Sequence, residues 1–92
     1  MISDRDKKAI VELAARYAVK RVMLFGSGVS DEREARDIDL AVEGVPDGNF
    51  FAFYGDLMCA LSTPVDLVDL SAKSMFTDLV RRDGVEIYAR AS

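Results

Sequence analysis

Three short stretches of the chain carry side chains suited to chemistry. The first is Phe25-Gly26-Ser27, where an apolar run stops at a glycine followed by a hydroxyl. Backbone N–H groups at such a turn point outward and favour phosphate. Gly26 lets the backbone approach a ligand closely, and the Ser27 hydroxyl adds a donor. The second stretch is Asp37-Ile38-Asp39. Alternate residues on a strand point the same way, with Cα atoms about 6.5–7 Å apart. Two carboxylates on one strand face can share hard divalent ions, and Mg²⁺ is often held by one or two carboxylates plus substrate phosphates. The third is Asp66, on a later apolar run. Beside the pair it would hold a second ion or take the proton from an attacking hydroxyl. Two ions about 3.5–4 Å apart steady both oxygens of an in-line displacement.

Each stretch also has a structural reading. Gly-Ser after a strand is ordinary turn chemistry, and an Asp-x-Asp on a half-exposed strand is more often a solvated face. Two acids side by side nevertheless repel each other unless a cation relieves them. Asp69 competes with Asp66, but residues three apart on a strand face opposite ways, so Asp69 reads as a strand-end or helix-entry acid. The specificity lies in the combination of the three stretches.

Composition removes most rivals. The chain has no histidine, which excludes His-ligated metals, Ser–His–Asp triads and histidine bases. With 92 residues it has room for one domain, spanning 1–92, and a core of one small sheet with a few helices. The net charge of −4 argues against an extended nucleic-acid surface. No apolar run approaches a membrane span. Cys59 has no second cysteine to pair with, so a reducing cytoplasm is the expected home.

The elements that must position these residues read as α-β-(turn or short α)-β-α-β-α-β. Ser3 and Asp6 resemble a capping box for a helix over 4–18, with Ile10, Leu13, Ala14 and Tyr17 at helical spacing. Residues 21–25 read as a strand buried on both faces. Residues 37–43 alternate, with Ile38, Leu40 and Val42 facing a core and Asp37, Asp39 and Glu43 facing water. Residues 49–62 form a helix whose Phe50, Phe51, Phe53, Tyr54, Leu57, Met58 and Leu61 make one apolar arc, expected to be core. Residues 65–70 form a strand, and Ser71 reads as the cap of a helix presenting Ala72, Met75, Phe76, Leu79 and Val80 to the core. Gly84 suits that helix's C′ position, and 85–89 a closing edge strand. Lys20, Arg21, Arg81 and Arg82 read as helix-end and solvated charges. The fold class is α/β, a small mixed sheet with helices mainly on one face.

Leu24-Phe25-Gly26-Ser27, nine residues, then Asp37-Ile38-Asp39-Leu40 resembles the signature of the minimal nucleotidyltransferases of the DNA polymerase beta superfamily. Val65-Asp66-Leu67-Val68 is similar to that family's third-acid strand, and Gly84-Val85-Glu86-Ile87-Tyr88 to its closing strand. The similarity covers roughly residues 8–90. It implies that Gly26 and Ser27 bind the triphosphate of a nucleotide and that Asp37 and Asp39 hold Mg²⁺. It implies that Asp66 completes the metal site and activates the acceptor hydroxyl. A nucleoside monophosphate, AMP from ATP, would pass to that hydroxyl as pyrophosphate leaves. It also implies a helical HEPN-type protein partner in a toxin–antitoxin pair, and a homo-oligomer is compatible with it. Many relatives carry an Arg-Ala-Arg-Gly-like stretch after Gly-Ser, where this chain has Gly28-Val29-Ser30-Asp31, with Arg33 and Arg36 further on. That departure keeps a second reading open, an interaction module that neutralises its partner by binding alone. An Asp-x-Asp nucleotide-sugar transferase is a weaker third, because the chain is short for one.

Overall fold

The structure, a computed structural model, describes residues 2–26, 37–46 and 48–90. Helix α1 spans Asp4–Arg16 and begins where Ser3 Oγ accepts the Asp6 N–H at 3.1 Å. The Asp6 carboxylate does not close a capping box. It is buried and accepts from Ser62 Oγ at 2.7 Å and Ser62 N–H at 3.3 Å. The first turn of α1 is thereby tied to the turn before the third strand. The helix stops short of residue 18 because Ala18 takes a left-handed φ of +59°, which an L-residue adopts only where the chain must turn.

Four strands follow: β1 (Arg21–Phe25), β2 (Ile38–Glu43), β3 (Val65–Asp69) and β4 (Val85–Ala89), in the sheet order β3-β2-β1-β4. β1 is antiparallel to both β2 and β4, whereas β2 and β3 are parallel. A parallel neighbour needs a crossover, and helix α2 (Phe50–Ala60) supplies it. One face of the sheet carries Val22, Leu24, Ile38, Leu40 and Val42, packed in one core with Ile10 and Leu13 of α1 and Phe53 and Leu57 of α2. On the opposite face, helix α3 (Met75–Asp83) seats Val80 against Met23, Ala41 and Leu70. Two of the three described helices thus share a face, as the patterning predicts, while the turn or short helix expected after Gly26 lies outside the described residues. The outer face of β2 is not wet throughout: Ala41, between Asp39 and Glu43, is fully buried.

The two apolar helices are narrower at their core faces than their sequences suggest. In α2 only Phe53 and Leu57 are buried, while Phe51 and Met58 are exposed. A short helix on a sheet buries one stripe, and a wider arc leaves residues over. α3 starts one turn later than expected. Ser74 and Thr77 form its capping box, whereas the Ser71 N–H donates to Asp69 Oδ1 at 2.9 Å. That phase buries Thr77 and Val80 and leaves Met75, Phe76 and Leu79 in solvent. Gly84 ends α3 with a φ of −73°, so it is not a left-handed cap. It is required by space, since a Cβ there would sit 2.6 Å from the Val80 carbonyl oxygen and 3.2 Å from that of Leu24.

Three of the cations read as solvated instead converge on one acid. Glu43 accepts from Arg21 and, at 2.9 Å, from Arg81 of α3, and Lys20 lies 3.5 Å away. Arg81 also donates to the Leu70 carbonyl at 2.9 Å. Glu43 therefore pins α3 to the sheet. Among the described residues, no helix is long and apolar enough to cross a membrane.

Candidate active site

Strand register assembles the site. Asp39 near the start of β2 stands opposite Phe25 at the end of β1 and beside Asp66 on β3. Residues in register on adjacent strands share a face, and neighbouring strands lie about 4.8 Å apart. Phe25, Asp39 and Asp66 therefore form a row across three strands, on the face that α3 covers lower down at Ala41. Asp39 is half-buried in this row and Asp66 exposed. Asp37 lies just before β2, not within it, and is also exposed.

The row is electrostatically loaded. Partial burial, then the negative charge of Asp66, then that of Asp37 hold the Asp39 carboxyl above its ordinary range. The chain has no histidine, and among the described residues no cation pairs with Asp39 to offset these charges. Gly26 adds a steric constraint. Its φ is +70°, and a Cβ built on it would run into Asp39 Oδ2. Only glycine lets the end of β1 curl against this carboxylate. Gly26, Asp37, Asp39 and Asp66 are thus brought together at one end of the sheet. Ser27 lies outside the described residues, as do Gly28, Val29, Ser30, Asp31, Arg33 and Arg36.

The donors here are carboxylate oxygens, which suit a hard cation such as Mg²⁺. Among the described residues no three acidic side chains close into a ready-made ion cage. An open pair fits Mg²⁺ nonetheless, because that ion keeps water and takes its other ligands from substrate phosphates. The strained charge on Asp39 is the state a bound cation would relieve. Phe25 stood in the first candidate stretch, but its place opposite Asp39 was not expected from the sequence. Its only signal was its place as the last residue before Gly26. Its pairing with Asp39 depends on the register between β1 and β2, which neither strand's own alternation specifies.

A Gly-ended strand antiparallel to an acid-bearing strand, with a further acid in parallel register, is the arrangement of a nucleotidyltransferase domain. The family model "Polymerase beta, Nucleotidyltransferase" matches residues 8–92, and the chain belongs to that family. No curated protein matches the chain. Solved structures do. One is a toxin–antitoxin complex with AMP-PNP, at 26% identity and a TM-score of 0.73, covering 91% of this chain and 73% of the other. Another is from Shewanella oneidensis, a tri-AMPylated HEPN toxin in complex with MNT antitoxin, at 26% identity and a TM-score of 0.69. It covers 92% of this chain and 71% of that one. A toxin–antitoxin MntA–HepT structure at 24% identity has a TM-score of 0.71 over 96% of this chain and 74% of the other, a likeness of fold.

Proposed function

We propose that the protein is an Mg²⁺-dependent nucleotidyltransferase that moves AMP from ATP to a hydroxyl of a helical HEPN-type protein, as the antitoxin of a toxin–antitoxin pair. The observation that carries this reading is the Asp39–Asp66 register, with Asp39 destabilised in its charged form by partial burial and then by its acidic neighbours Asp66 and Asp37. Membership of the family supports the reaction class. The AMP-PNP complex and the AMPylated toxin among the similar structures support the nucleotide and the acceptor.

In this reading Gly26 and Ser27 receive the triphosphate through backbone N–H groups and a hydroxyl. Asp37, Asp39 and Asp66 would hold Mg²⁺, which supplies neutralisation of phosphate charge. Asp66, the most open acid of the row, takes the proton from the acceptor hydroxyl. The acceptor oxygen then bonds to the α-phosphorus as the bond to pyrophosphate breaks. A single unpaired thiol at exposed Cys59 fits a reducing cytoplasm. Calorimetry with AMP-PNP tests the binding half. Binding is expected to require Mg²⁺ and to be lost in Asp39→Asn. Equal binding without Mg²⁺, or undiminished binding by that variant, would overturn the assignment.

The Gly28–Asp31 stretch favours a second reading, since it places an acid where cationic relatives would meet phosphate. There the domain silences its partner by binding alone, and Asp37 and Asp39 are dispensable for that effect.

A further inference from the structure

An apolar groove of about 370 Å³ opens beside Gly26, between the end of β1 and the side of α3 that carries Phe76, Leu79, Val80 and Asp83. Phe25 and Gly26 form one wall, Phe76, Leu79 and Val80 the other, and Asp83 stands at the rim. This is within the size range of about 300–1,000 Å³ typical of small-molecule sites. Phe25 and Phe76 meet edge to face with ring centroids 5.7 Å apart. Phe76 and Leu79 are each 47% exposed, so α3 leaves two large apolar side chains in water at this spot.

We propose that this groove holds the base of the nucleoside triphosphate, with Phe76 and Leu79 as its affinity-determining residues. The inference rests on the transferase reading, because it takes the phosphates to lie at Gly26. Three observations lead to it. The groove is continuous with Gly26, and Phe25 stands in register with Asp39, so among the described residues none separates the acids from the groove. The walls offer aromatic and branched aliphatic surface, which stacks on any flat heterocycle. The one charged side chain lining the groove is an acid already paired with Arg82 at 3.0 Å. The described lining therefore gives phosphate no cation to bind, while a neutral ring is accepted. The groove also accounts for the exposure of Phe76 and Leu79, which the core does not use.

The test compares two probes, AMP-PNP and inorganic tripolyphosphate, both with Mg²⁺, on the full chain by calorimetry. Phe76→Ala and Leu79→Ser are each expected to weaken AMP-PNP by about tenfold, the loss of one stacking contact. Tripolyphosphate affinity should not move. Met75→Ser, on the same helix but outside the groove, should change neither. As a second measurement, 8-azido-ATP on the wild-type chain should photolabel the tryptic peptide Ser74–Arg81. AMP-PNP affinity unchanged in both groove variants, or labelling confined to other peptides, would overturn the groove assignment and leave the transferase reading standing. Failure of the wild-type chain to bind either probe would overturn both.

Discussion

Asp39 is costly to the fold and indispensable to the proposed reaction. Its carboxyl is held above the ordinary range by burial and by Asp66 and Asp37, so folding takes up a proton there. The sign follows from linkage. Any stability Asp39 lends belongs to its neutral form, is present below the unfolded value of about 3.9, and is lost as pH rises through the raised folded value. At neutral pH the charged form opposes folding. Asp39→Asn should therefore raise the melting temperature by about 2–6 °C at pH 7, the effect of relieving like charges across a strand pair. Mg²⁺ should raise the melting temperature of the wild-type chain and leave the variant unchanged. Scanning calorimetry checks both, and a variant that melts lower would contradict the electrostatic account. Gly26, Asp37, Asp39 and Asp66 are candidates through the combination of the three stretches and the family resemblance, not through any one spacing. Their convergence could not be read, because a strand's partner is not written in its own alternation.

The elements were readable where one stripe met one surface. β1, β2, β3 and β4 fall within a residue or so of their expected bounds, and α1 matches but for its last turn. α3 was misphased because Ser71 and Ser74 both look like caps, and Thr77, which closes the box with Ser74, is a weaker signal than Glu or Gln. Phe51, Met58, Met75 and Leu79 were assigned to the core because helical arcs give no measure of how much surface waits to receive them. The docking of α3 was missed for another reason. It depends on Glu43, whose cations come from β1, α3 and the turn before β1. Hydrogen bonds from Arg21 and Arg81 hold the Glu43 carboxyl down at about 2. Its contribution is present above the unfolded value of about 4.3 and is lost as pH falls through about 2. Glu43→Gln should destabilise the chain by about 1–3 kcal/mol at pH 7, with the difference from wild type vanishing near pH 2. Urea unfolding at several pH values would measure this. A pH-independent difference would mean that Glu43 acts through packing rather than charge.

A 92-residue chain with one sheet presents the acid row and the glycine-ended strand at a single open end. Among the described elements none covers that end. In the proposed reaction this open end receives the nucleotide, and a HEPN-type protein brings the acceptor hydroxyl. The decisive measurement is transfer of label from [α-³²P]ATP to a co-purified HEPN-type partner in the presence of Mg²⁺. We expect label on the partner with the wild-type chain and none with Asp37→Asn/Asp39→Asn, which should also fail to neutralise the partner. A partner that stays unlabelled, yet is neutralised equally by the wild-type and doubly substituted chains, would contradict catalysis and leave binding alone as the function.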